Sequence, residues 1–234
     1  MDTGTLHLPL TETAAASAPL WSDYAFNRWA VVAATLLALL VLSDFLRIFT
    51  RLLDCISRNR GSLELEHSVS MARSRNHCSA GLLTALVLIM DRYGVLLPSI
   101  TPGIETPFLR FAAAAAIPLG WILLRLLMQA LFFAFAPRSI DGESRATIRH
   151  IPLNFFCLGM AVMLPLLGIM LLAGASDTAV RTMVTVWLAL SWTASTYRSG
   201  LFLSGGCSRF ATFLYLCSSE FFPAGMVVAT ALAL

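Results

Sequence analysis

Six long, predominantly apolar segments recur along this chain, and that recurrence constrains its fold more than any other feature. A helix needs about 20 such residues to cross the roughly 30 Å hydrocarbon layer of a bilayer. The segments run from Trp29 to Leu46, Ser79 to Leu97, Leu109 to Phe135, Ile151 to Ala173, Val180 to Tyr197 and Phe210 to Leu234. They predict an all-α fold, an integral membrane bundle of about six transmembrane helices in one domain over residues 29–234. The second segment is the least regular. Its apolar run stops at Met90, and Asp91-Arg92-Tyr93 interrupts it before Gly94. It either spans with a charged pair near one end or forms a shorter re-entrant piece.

Composition excludes the other broad classes. The chain is 58% apolar and 12% charged, with a mean hydropathy of +0.78. A soluble domain is about 45–50% apolar and about 25% charged. So few charges cannot clothe a soluble globule, which argues against a soluble enzyme, a disordered protein and a nucleic-acid-binding domain. All 16 basic residues are Arg, so there is no lysine for a Schiff base or a phosphate loop. The five cysteines, Cys55, Cys78, Cys157, Cys207 and Cys217, include no C-x-x-C pair. They suit small apolar side chains better than a disulfide framework. Residues 1–28 carry Asp2, Glu12, Asp23 and a single Arg28, which reads as a flexible N-terminal tail rather than a cleaved signal.

Arginine placement predicts an orientation. The connections after the first, third and fifth segments hold six, three and two Arg, eleven in all, against four on the other side. The positive-inside rule puts the richer side in the cytoplasm and both termini on the periplasmic side of a bacterial inner membrane. Residues 47–60 form an amphipathic, Arg-rich cytoplasmic segment. Ile48, Phe49, Leu52, Leu53 and Ile56 fall at helical spacing, opposite Arg47, Arg51, Asp54 and Arg58. Such a helix is suited to an anionic leaflet, or continues the first span outward. Asp44, three residues before Arg47, is expected to pair with it locally. Pro118, Pro165 and Pro223 each interrupt an apolar segment and predict kinks. Ala112–Ala116, Gly168 with Leu172, and Ala173–Ala175 are expected to allow close helix contact.

Two charges stand out by depth. Arg125 lies 11 residues before Ala136, about 16 Å into the membrane, and Glu220 lies 10 residues after Phe210, about 15 Å in. An unpaired charge there costs at least ~2.5–3.5 kcal/mol. The two are therefore expected to pair or to face one polar cavity. Gln129, one turn from Arg125, is placed to join them, with Tyr215 and Cys217 close to Glu220. The cluster reads either as a buried pair that specifies helix packing, or as a proton or ion relay or a site for a polar substrate. Asp91 is expected to pair with Arg92 or Arg110 near the outer end. The four histidines match no metal pattern, and no catalytic motif occurs. No catalytic residue, metal or cofactor is therefore assigned.

The C-terminal stretch Phe213-Leu-Tyr215-Leu-Cys217-Ser-Ser-Glu220-Phe-Phe-Pro223 resembles the L-Y-L-C-x-x-E-x-x-P ending of an uncharacterised family of bacterial multi-pass membrane proteins, domain of unknown function 4271. Tyr197-Arg198 with Gly200, and Asn154 with Gly159 and Pro165, resemble it too. The apolar tail here lacks the final Lys of that pattern. The resemblance implies an inner-membrane location, supplies no activity, and groups Glu220, Tyr215, Cys217 and Pro223 into one unit. The function expected first is a non-enzymatic subunit or scaffold of a larger membrane assembly. Its partners are the lipid bilayer and either a membrane-protein partner or further copies of the chain, with no nucleic acid. A small transporter or channel using Glu220 and Arg125 comes second, and an intramembrane enzyme acting on lipid third.

Overall fold

The computed structural model describes residues 21–57, 68–95, 106–135, 142–205 and 208–233. Among these every regular element is helical. After a short 3-10 turn at Trp21–Asp23 come α1 (Ala25–Ser57), α2 (Val69–Tyr93), α3 (Pro107–Phe135), α4 (Gly142–Leu172) and α5 (Asp177–Ser204). The last rod is composite: α6 (Arg209–Tyr215), a π-helical segment (Leu216–Phe221) and α7 (Phe222–Ala233). Among the described residues, four stretches are long and apolar enough to cross a membrane: Ala25–Cys55, Pro107–Ala134, Arg145–Leu172 and Arg209–Thr230.

The helix ends follow capping chemistry rather than hydropathy. α2 starts ten residues before the apolar run, because its polar first half still makes backbone hydrogen bonds. It stops at Tyr93, where Gly94 takes φ 60° and returns its N–H to the Met90 carbonyl. Glycine reaches that left-handed conformation without a Cβ clash. Leu97, the expected end, lies outside the described residues. Ser176 and Ser208 accept hydrogen bonds from the N–H groups of Ala179 and Ala211, capping α5 and α6. α4 likewise starts at Gly142, ahead of the expected Ile151.

Packing joins neighbouring helices into one core. α1 lies mainly on α2, and α5 on α4, while α2 also touches α3 and α4. One cluster gathers Leu86 and Met90 of α2, Ala114 of α3, Met160 and Met163 of α4, and Val180 and Val184 of α5. A second joins Ile48, Leu52 and Cys55 of α1 to Cys78 and Cys157. A third joins Ile148 of α4, Leu203 of α5 and Tyr215.

Several expectations are corrected here. Residues 21–28 are not tail: the Trp21 indole N–H donates to Asp91 Oδ2 at 2.7 Å, and Asn27 Nδ2 donates to the Trp21 carbonyl at 2.8 Å. Residues 1–20 lie outside the described residues. Of the two readings of 47–60, residues 47–57 take the continuation of the first apolar segment's helix, with Leu53 left exposed. Ile48, Leu52 and Cys55 are covered by the packing of α1 against α2 and α4, in a helix continuous with the first apolar segment. Residues 58–60 lie outside the described residues. Asp44 bonds across to α2, accepting from Ser74 Oγ at 2.8 Å and His77 Nδ1 at 3.3 Å, rather than pairing with Arg47. Gly168 marks no close approach, since a Cβ there would meet nothing within 4 Å. The close approach is at Gly159, where a Cβ would come 2.4 Å from Ser191 Oγ. The α-helix runs through Pro118, Pro152 and Pro165, and only near Pro223 does the ladder change type.

Candidate functional site

The site is assembled from α3, α4 and the composite last rod. Arg125 and Gln129 stand one turn apart on α3, a spacing that aligns their side chains on one face. Tyr215 ends α6, and Glu220 sits in the π segment. Pro223 offers a reason for that segment. It has no N–H for the Ser219 carbonyl, and its ring crowds that carbonyl. The ladder widens locally instead, and the Phe222 N–H reaches back to the Cys217 carbonyl. The Ser218 and Ser219 hydroxyls both donate to the Tyr215 carbonyl, at 3.2 and 2.9 Å, supplying bonds at the transition.

The ion pair is close and buried. Arg125 Nη2 lies 2.6 Å from Glu220 Oε1, and Arg125 Nε lies 3.2 and 3.3 Å from the two carboxylate oxygens. Glu220 is 0% exposed and Arg125 5%. Arg125 Nη1 also donates to the Arg149 carbonyl of α4 at 3.4 Å. The Gln129 amide is oriented by its neighbours. With its carbonyl turned inward, Oε1 accepts from Arg125 Nη2 at 2.9 Å, from Nη1 at 3.2 Å and from the Tyr215 hydroxyl at 2.7 Å. The opposite orientation sets donor against donor. The Tyr215 ring is held edge-on by Phe132, with centroids 5.1 Å apart. A charge pair at low dielectric persists when further hydrogen bonds support it, and here both terminal nitrogens of the guanidinium have partners besides Glu220.

The structure thus brings together Arg125, Glu220, Gln129 and Tyr215. Cys217 is a half-buried free thiol on the π segment, and Pro223 is buried just beyond it. The cluster balances one cation with one anion and offers no nucleophile paired with a base.

A second polar cluster ties helix ends together. Asp91 is buried at the end of α2, accepting from Arg110 Nε of α3 at 3.1 Å as well as from Trp21. Arg92 pairs instead with Asp177 of α5 at 3.8 Å and lies over the Trp21 and Tyr93 rings. Of the two partners expected for Asp91, the structure selects Arg110. Sequence reasoning missed Trp21 because it falls before the first apolar run. It also missed the burial of Arg75, whose Nε and Nη2 reach Asn76 Oδ1 at 3.3 Å. Its polar surroundings resemble an ordinary connection, so no signal marked it.

Comparison of the chain with known protein families, with curated proteins and with solved structures gives no match.

Proposed function

We propose that this chain is a polytopic protein of a bacterial inner membrane, with six spans and both termini on the periplasmic side, acting as a structural subunit or scaffold of a larger membrane assembly. The observation that carries this reading is the closure of the central charges on themselves. The guanidinium of Arg125 is occupied by Glu220, Gln129 and a backbone carbonyl. A pair so enclosed serves to fix helices against one another rather than to receive cargo. The arginine asymmetry supports the orientation. The outer surface of α1 supports contact with lipid or another apolar chain. The most apolar 18-residue stretch of α1 has no buried residue, and Trp29, Leu36, Leu39, Leu40 and Leu46 are exposed along the helix. Contiguous apolar surface of this kind marks lipid or protein contact.

Native mass spectrometry of the full chain, extracted directly into lipid nanodiscs, tests this. Particles heavier than one 25.4 kDa chain, at fixed stoichiometry, are expected. Single chains that move protons or ions across liposomes overturn it. That outcome is the second reading, a small transporter or channel using the Glu220–Arg125 pair. One observation favours it: π-helical turns recur at functional sites, and Glu220 sits in one.

A further inference from the structure

A buried polar face on α5 stands opposite the π segment. Helical threonines in this chain ordinarily donate to the carbonyl four residues back, as Thr35, Thr84, Thr182, Thr185, Thr193 and Thr230 do. Thr196 and Ser199 differ. Both are more than nine-tenths buried, and neither hydroxyl has a partner among the protein's described atoms. The buried indole nitrogen of Trp192 has none either. Trp192, Thr196 and Ser199 stand at i, i+4 and i+7, on one face of α5.

Contacts fix what that face meets. The Trp192 ring packs edge-on against Phe221, with centroids 5.5 Å apart. A Cβ on Gly200 would lie 3.3 Å from Leu216 Cδ1, and Leu203 shares a cluster with Tyr215. The two helices of this contact run antiparallel, so Thr196 and Ser199 fall at heights between Leu216 and Phe221. Glu220 occupies that same stretch. Among the described residues its Oε2 receives Arg125 Nε alone, at 3.3 Å, which leaves lone-pair capacity for another donor. Three buried polar atoms on one face amount to three missing hydrogen bonds unless something bonds them. Internal water takes two to four polar partners, and this face offers three unpartnered polar atoms.

We propose that α5 and the π segment hold ordered water between them, bonded by the Trp192 indole and the Thr196 and Ser199 hydroxyls, at the level of Glu220. This inference is independent of the scaffold reading, since it concerns only the inside of one chain. The water extends the polar cluster from α3 across to α5 and gives Glu220 Oε2 a donor besides Arg125 Nε.

X-ray hydroxyl-radical footprinting of the full chain in nanodiscs tests it, because radicals formed from bound water label the side chains that touch it. Trp192 is expected to label several-fold faster than Trp187, which is also half-buried but donates to the Gly159 carbonyl. The Thr196→Val/Ser199→Ala variant is expected to lose that excess. Labelling of Trp192 no faster than Trp187 overturns the proposal. A thermal melt supplies an independent sign. Thr196→Val keeps the shape of the side chain and removes its hydroxyl. A lowered Tm, by about 2–4 °C, is expected if the hydroxyl bonds water. A raised Tm means a dry seam and overturns the proposal.

Discussion

Arg125 Nη2 and Glu220 Oε1 lie 2.6 Å apart although 95 residues separate them in the chain. The contact locks α3 to the π segment at one register, and Gln129 and Tyr215 hold both partners in place. Removing either charge alone strands the other in a buried site. Arg125→Met is therefore expected to lower stability by about 3–5 kcal/mol, the range for breaking a buried pair. The double variant Arg125→Met/Glu220→Met is expected to recover much of that loss. A double-mutant cycle by thermal melts in nanodiscs measures the coupling, and additive losses count against the pair.

Pro223→Ala restores an N–H to the helix and relieves the crowding at Ser219. The π segment is then expected to tighten toward α-helix, turning Glu220 away from Arg125. Cys217 reports the change, since it is a half-buried thiol on the same segment. Its rate of alkylation is expected to shift in the variant, together with a drop in Tm. An unchanged rate shows that the widened ladder has another cause.

Gly159→Ala tests the tightest surroundings of any described glycine. The added Cβ meets Ser191 Oγ at 2.4 Å and Ser191 Cβ at 3.2 Å. Overpacking of this kind costs about 1–3 kcal/mol. Adding Ser191→Ala removes the nearer contact and is expected to restore part of the stability. By contrast, Gly168→Ala meets open space and is expected to be tolerated.

Trp21→Phe keeps the ring but removes its hydrogen bond to the Asp91 carboxylate. A bond to a charged acceptor contributes about 1.5–3 kcal/mol. Residues 21–28 are expected to exchange amide hydrogens faster in the variant, while α4 is unaffected. Equal exchange in both proteins means that the indole does not anchor the segment.

The contact of Arg125 with Glu220 was legible because helix rise is simple arithmetic, and opposite charges placed at matching positions in two apolar helices have few other solutions. Helix ends were less legible. A hydropathy window stops where side chains turn polar, but backbone hydrogen bonds continue, so α2 begins at Val69 and α4 at Gly142. Partner choice was legible only in part. Asp91 had two plausible arginines, and the fold, not the spacing, brought Arg110 to it. Asp44 looked local, yet its partners come from α2. The π segment left no mark beyond Pro223, because three further prolines sit inside segments that stay α-helical.

The separation of Arg125 from Glu220 also sets an order of events during biosynthesis. A ribosome working at about 5–20 residues per second needs roughly 5–20 s to make the 95 residues between them. In a membrane setting, the third helix reaches the translocon carrying a cation whose counterion has not yet been polymerised. Until then Gln129 is its nearest neighbour able to accept a hydrogen bond on the same helix face. The nascent chain therefore passes through a stage that depends on the insertion machinery or on lipid phosphates to shelter Arg125. Arrival of the last helix ends that dependence.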